Sequence, residues 1–225
     1  MQHLDWTSTP HPGNLNMELA VSRGDGTEWT RPFRSSLGYP KFLDVNPTPG
    51  QFDSGVMWTN PQFVDGPRDT RRLFYGAYSR WGGPPHGDYS NATDWSGIGM
   101  VEMTRDRFAC LTNINAAFPG QVTTKPFAIN ATCAITVNAE TLSRAAPNIT
   151  ATVRIELLSS AGYKLRGYDA ASAVPLSGVS GVALPAAWAG TAALPTDGEV
   201  MVRAHLTAGA KLYAINLHGC DDRRR

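Results

Sequence analysis

Apolar and polar residues alternate over several short stretches of the chain, most clearly in its second half. In Thr152-Val-Arg-Ile-Glu-Leu-Leu158, Val153, Ile155 and Leu157 fall on one face, and Arg154 and Glu156 fall on the other. A period of two over that length predicts a half-buried antiparallel strand. Residues 200–206 repeat the form, with Val200, Val202, Ala204 and Leu206 inward and Arg203 and His205 outward. Lys211-Leu-Tyr-Ala-Ile-Asn-Leu217 and Cys133-Ala-Ile-Thr-Val-Asn138 predict two further strands. Ser160-Ala-Gly162, Ser177-Gly178 and Asp197-Gly198 supply turn signals between them. From residue 115 onward the pattern predicts a β-sandwich of roughly eight short strands.

The first half carries shorter apolar runs among Trp, Gly, Pro and Asp. Met17–Val21 predicts a strand, Ser22–Gly26 a turn, and Trp29–Phe33 follows. About 81 residues later the unit recurs. Ile98–Met103 is the strand, Thr104–Arg107 the turn, and Phe108–Leu111 the next strand. Asp25 and Asp106 are expected to fix the two turns by accepting local N–H groups, and Trp29 and Phe108 to lie in the core. Between the repeats, Gln62–Val64 and Leu73–Tyr78 predict a hairpin. Repeated strand units of this kind suggest β-propeller blades. Two repeats cannot close a propeller, because each blade needs neighbours. Residues 79–97 show no strand pattern, and so long a loop points to function or motion.

Composition sharpens this picture. Gly and Pro number 22 and 16 among 225 residues, which suits many short strands and excludes long helices. A 42% apolar content supports a packed core, and a net charge of +1 argues against nucleic-acid binding through bulk electrostatics. No apolar run approaches the length of a membrane-spanning helix, so no membrane partner is expected. The N-terminus lacks a basic segment followed by an apolar one, so no signal peptide is read in this chain; the compartment stays open, with secretion if the N-terminus is truncated. Asp221-Asp-Arg-Arg-Arg225 reads as a solvated, disordered tail.

Cofactor and metal chemistry find no support. The five histidines lack metal-ligand spacing, and Cys110, Cys133 and Cys220 form no C-x-x-C pair. One disulfide with a free thiol, or three reduced thiols, fit the cysteines equally. Nucleophile-elbow and phosphate-loop motifs are absent. Three N-x-[ST] sequons, at Asn91, Asn130 and Asn148, against about two by chance, give weak evidence for glycosylation or secretion.

Leu19-Ala-Val-Ser-Arg-Gly-Asp-Gly-Thr-Glu-Trp-Thr-Arg-Pro-Phe33 resembles a segment of five-bladed propeller proteins related to glycoside hydrolase families 32 and 43. Phe52-Asp-Ser-Gly55, Leu73–Tyr78, Ile98–Val101 and Arg105–Phe108 follow in the order that the resemblance leads one to expect. Val153–Leu158, Gly167-Tyr168, Trp188 and Lys211–Tyr213 continue it, so the resemblance covers residues 17–217. Two departures stand out: Gly24 is inserted between Arg23 and Asp25, and Arg107 occupies a position where the family usually has Gly. Such proteins carry several hundred residues before this point, including the first blades with their catalytic carboxylates. The resemblance thus implies a partial propeller of one to two blades at 1–114, a C-terminal β-sandwich at 115–220 and the tail at 221–225. It implies that the chain is the C-terminal portion of a glycoside-hydrolase-like protein, without the main catalytic carboxylates.

A glycosidase places two carboxyl groups about 5 to 9 Å apart across the scissile bond. No such pair announces itself here. Asp53 is the weak catalytic candidate, with capping of its own turn as the structural reading. Trp58, Tyr75, Trp81, His86, Tyr89 and Trp95 are the candidate carbohydrate-binding residues, because aromatic faces stack on sugar C–H faces. The rings around the long loop would otherwise pack the propeller edge onto the sandwich. Carbohydrate is the expected ligand, and another chain or the missing blades are the expected partners at the open propeller edge. The alternatives are a non-catalytic carbohydrate-binding module and a structural or interaction domain.

Overall fold

The structure is a computed structural model. It describes residues 2–4, 15–22, 26–31, 41–48, 50–59, 62–79, 96–113, 115, 117–130, 132–142, 150–190, 193–195 and 198–220. The protein is all-β, with no helix among the described residues. The chain divides into two compact units, Met1–Met103 and Thr104–Arg225.

The first unit holds β1 (Gln2–Leu4), β2 (Leu15–Met17), β3 (Val21–Ser22), β4 (Trp29–Thr30), β5 (Val56–Thr59), β6 (Val64–Asp65), β7 (Thr70–Tyr78) and β8 (Ser96–Thr104). Six of these make one sheet, in the order β1-β2-β5-β7-β6, with β8 also paired to β7. The hairpin expected before Tyr78 is present: Val64 pairs with Arg72 and Asp65 with Arg71. Its turn places Arg68 and Asp69 at φ 54° and 58°, and the Gly66 N–H closes it on the Thr70 carbonyl at 2.8 Å. Met57, Leu73, Tyr75 and Ala77 form the core of this sheet with Met17 and Val45.

The expected strand at 17–21 is split, since β2 belongs to the large sheet and β3, among the described residues, pairs only with β4. Trp29 corrects the expectation of a core position, for it is 59% exposed. A sheet of two two-residue strands is too small to enclose an indole, and its N–H instead bonds the Gly26 carbonyl at 2.7 Å. Phe108 is half-buried, and Asp25 lies outside the described residues. The turn at 104–107 forms without glycine: the Arg107 N–H reaches the Thr104 carbonyl at 3.2 Å while Asp106 takes φ 60°. Asp tolerates that left-handed conformation better than most residues.

The second unit holds β9 (Leu111–Thr112), β10 (Gly120–Thr123), β11 (Phe127–Ala128), β12 (Ala134–Glu140), β13 (Thr152–Ser159), β14 (Leu176–Ser177), β15 (Ser180–Pro185), β16 (Glu199–Leu206) and β17 (Lys211–His218). One sheet runs β10-β16-β13-β14, with β11 also on β16; the other runs β15-β12-β17-β9. The four strands read from alternation are β12, β13, β16 and β17. Their inward residues meet in one core: Ile135, Val137, Val153, Ile155, Leu157, Val202, Ala204 and Leu212 are all buried. Trp188 closes that core, its indole N–H donating to the Ile155 carbonyl at 2.8 Å. A disulfide joins Cys133, at the start of β12, to Cys220, beyond β17, while Cys110 is free and exposed.

Candidate functional site

The Phe52-Asp-Ser-Gly55 segment is a compact turn leading into β5. Ser54 holds it, with its N–H on the Gln51 carbonyl at 3.1 Å and its hydroxyl 2.8 Å from the same oxygen. The Gly55 N–H then reaches the Tyr78 carbonyl at 3.0 Å, so the turn is fixed to the end of β7. Asp53 does not cap this turn with its side chain. Its Oδ2 accepts the Tyr75 hydroxyl at 3.0 Å, and its Oδ1 is buried with no hydrogen-bond partner among the described residues.

Tyr75 reaches Asp53 because the alternation of β7 turns its ring into the core, where it stacks on Phe52 at 6.2 Å and 11° between planes. Two glycines on β8 make the room. A Cβ at Gly99 would collide with the Tyr75 ring and hydroxyl, and one at Gly97 would press on the Phe52 ring. The Tyr75 hydroxyl is pushed above its ordinary value, first by burial and then by the hydrogen bond and negative charge of Asp53. It therefore remains a neutral donor to the carboxylate. Chemically the pair is a fixed acceptor, with one carboxylate oxygen engaged by tyrosine and the other uncommitted.

Trp58 lies on the opposite face of the same sheet. It pairs across the strands with Gly76, whereas Tyr75 pairs with Thr59. Its indole is 38% exposed and meets the Tyr78 ring edge-on at 5.1 Å. Asp53 and Tyr75 are thus brought together, and Trp58 is set apart from them. Trp81, His86, Tyr89 and Trp95 lie outside the described residues.

Two polar clusters in the second unit were not singled out in the sequence. Glu156, on the face of β13 expected to meet solvent, is fully buried. The segment around Asp169–Ala173 crosses that face: the Ala170 N–H points to Glu156 Oε1 at 3.4 Å, and Arg154 donates to the Ala173 carbonyl at 2.7 Å. Glu156 is ringed by His205 at 2.9 Å, Arg203 at 3.5 Å and Lys164 at 3.6 Å. Burial pushes its carboxyl up. The hydrogen bond and charge of His205, the Ala170 N–H and Lys164 outweigh that and hold it below the ordinary carboxylate value. The signal available in the sequence was a set of charges, Arg154 and Glu156 opposite Arg203 and His205, facing each other on neighbouring strands.

Arg107 centres the second cluster. It donates to the Asn138 side chain at 2.9 Å, the Ser180 hydroxyl at 3.0 Å and the Ala139 and Gly181 carbonyls at 3.1 and 3.3 Å. Its guanidinium also lies 4.7 Å from the Tyr213 ring centre. Lys211 completes the group by bonding Glu140 at 3.1 Å. Both clusters satisfy their charges internally, which suits cohesion better than ligand capture. Among the described residues, no three His, Cys, Asp or Glu side chains converge as a metal site would require.

The described residues therefore define an all-β protein of two units, with a carboxylate–tyrosine pair in the first. No protein-family model, curated protein or solved structure matches the chain.

Proposed function

We propose that this chain is the C-terminal portion of a glycoside-hydrolase-like protein and that its ligand is carbohydrate. In this reading the first unit supplies one to two blades of a five-bladed-type propeller, and the second is a β-sandwich. Hydrolysis belongs to the longer protein, whose paired carboxylates lie in earlier blades. The observation that carries the reading is the Asp53–Tyr75 pair. Tyr75 holds one carboxylate oxygen, and the other accepts no hydrogen bond among the described residues. A charged acceptor fixed by a neutral donor is the kind of placed polar group that orients a saccharide.

Calorimetric titration of this chain with a panel of oligosaccharides tests the reading. Binding that weakens at least tenfold in Asp53→Asn supports it. No binding across the panel, or affinity unchanged in Asp53→Asn, overturns it.

A second reading, a non-catalytic carbohydrate-binding module, is favoured by the exposed Trp58 indole braced by Tyr78. It expects Trp58→Ala, rather than Asp53→Asn, to abolish binding, since stacking on an exposed ring needs no carboxylate.

A further inference from the structure

We propose that Asn130 is an N-glycosylation site and that the chain matures in an oxidising, glycosylating compartment. Two independent features meet at one end of the second unit. The first is the disulfide between Cys133 and Cys220, whose Cα atoms are 4.5 Å apart. Structural disulfides form and persist in secretory and extracellular settings. The second is the sequon Asn130-Ala-Thr132, which directly precedes Cys133.

The geometry presents the carboxamide nitrogen outward. Asn130 Oδ1 accepts the Thr132 N–H at 2.9 Å and lies 2.7 Å from the Thr132 hydroxyl. A backbone N–H can only donate, so the atom facing it is the oxygen, and Nδ2 is the atom turned away. Nδ2 makes no hydrogen bond among the described residues. Asn130 itself is partly exposed and Thr132 exposed, whereas the flanking Ile129 and Cys133 are buried. Asn130 and Thr132 thus lie at the surface between two buried anchors, in a turn that the Cys133 N–H closes on the Asn130 carbonyl at 3.1 Å.

The same turn is joined to the disulfide through space. The Thr132 hydroxyl also lies 2.9 Å from the Gly219 carbonyl, next to Cys220, and shares its single proton between two acceptors. A glycan on Nδ2 would therefore stand over the end of the unit where the disulfide closes. It would limit the access of large thiol reductants to that bond.

The co-substrate is a lipid-pyrophosphate-linked oligosaccharide. The Nδ2–C1 bond forms as the bond between C1 and the phosphate oxygen breaks. The lipid pyrophosphate leaves with the bonding electron pair, and the transferase takes one amide proton.

The test is to direct the chain into the secretory pathway of a cultured eukaryotic cell and map the secreted protein by peptide mass before and after peptide N-glycosidase. The expected result is a glycosylated Asn130 peptide, in a chain whose Cys133 and Cys220 are bridged. Release of the glycan by the enzyme should leave an aspartate in place of that asparagine. Thr132→Ala should abolish occupancy at this position, whereas Thr132→Ser should retain it. A secreted, bridged chain with unmodified Asn130 overturns the proposal, even if Asn91 or Asn148 is occupied. Reduced Cys133 and Cys220 in the secreted protein overturn it equally. Occupancy of Asn130 and the state of Cys133 and Cys220 are measured on the unsubstituted protein, so those outcomes do not depend on any variant folding.

Discussion

His205 Nε2 lies 2.9 Å from Glu156 Oε2 across neighbouring strands, on a sheet face that alternation assigns to solvent. Glu156 is held below its ordinary value of 4.5, so its ionised form stabilises the fold. That contribution is complete above about pH 4.5 and is lost as the pH falls through the lower folded value. Arg203 and Lys164 face the same carboxylate, so Glu156→Gln leaves both cations without that partner. The variant should lose about 3 kcal/mol near neutral pH. Urea midpoints measured between about pH 3 and 7 should fall with acid in the natural chain and flatten in Glu156→Gln.

Tyr75→Phe removes the only hydrogen bond made by the Asp53 carboxylate among the described residues. Stability of the first unit should fall by about 1–3 kcal/mol, because both oxygens are then left unsatisfied. The raised value of Tyr75 means that its contribution is present below about pH 10 and lost as the pH rises through the higher folded value. Tyr213 is also raised, chiefly by burial. Ultraviolet titration should therefore show one late tyrosinate step fewer in Tyr75→Phe than in the natural chain.

Gly99→Ala places a methyl group where the Tyr75 ring lies. Overpacking of that kind costs about 1–3 kcal/mol. The same change at Gly76, where a Cβ meets nothing within 4 Å, should cost much less. Denaturation midpoints for the two variants, compared side by side, check the asymmetry.

Arg107→Lys should destabilise the second unit by about 2–4 kcal/mol. An ammonium cannot reproduce a planar fork that serves Asn138, Ser180, Ala139 and Gly181 together. Thermal unfolding of the variant checks this. A midpoint equal to that of the natural chain would show that charge alone sustains the cluster.

The strands of the second unit were legible because each carries several residues of period two and is long enough for the pattern to repeat. Val153, Ile155 and Leu157 are buried as their spacing requires. What covers a face is not encoded in that spacing, which is why Glu156 reads as exposed and is buried. Trp29 fails in the opposite sense: ring size suggests core, but its local sheet is too small to surround it. The Asp53–Tyr75 bond joins residues 22 apart through a turn and a strand, and no local signal links them. The cysteine count left the pairing open, and only the closeness of the ends of β12 and β17 selects Cys133 and Cys220.

The Cys133–Cys220 bridge also governs how the chain responds to a pull. It closes a covalent loop across 87 positions that contains β12 to β17. Tension applied at the two termini passes through the bond and bypasses that loop. At about 3.5 Å per residue, roughly 300 Å of contour is withheld from extension. In a force spectrometer the oxidised chain should stop short by that length, and a reductant should release it as one additional lengthening.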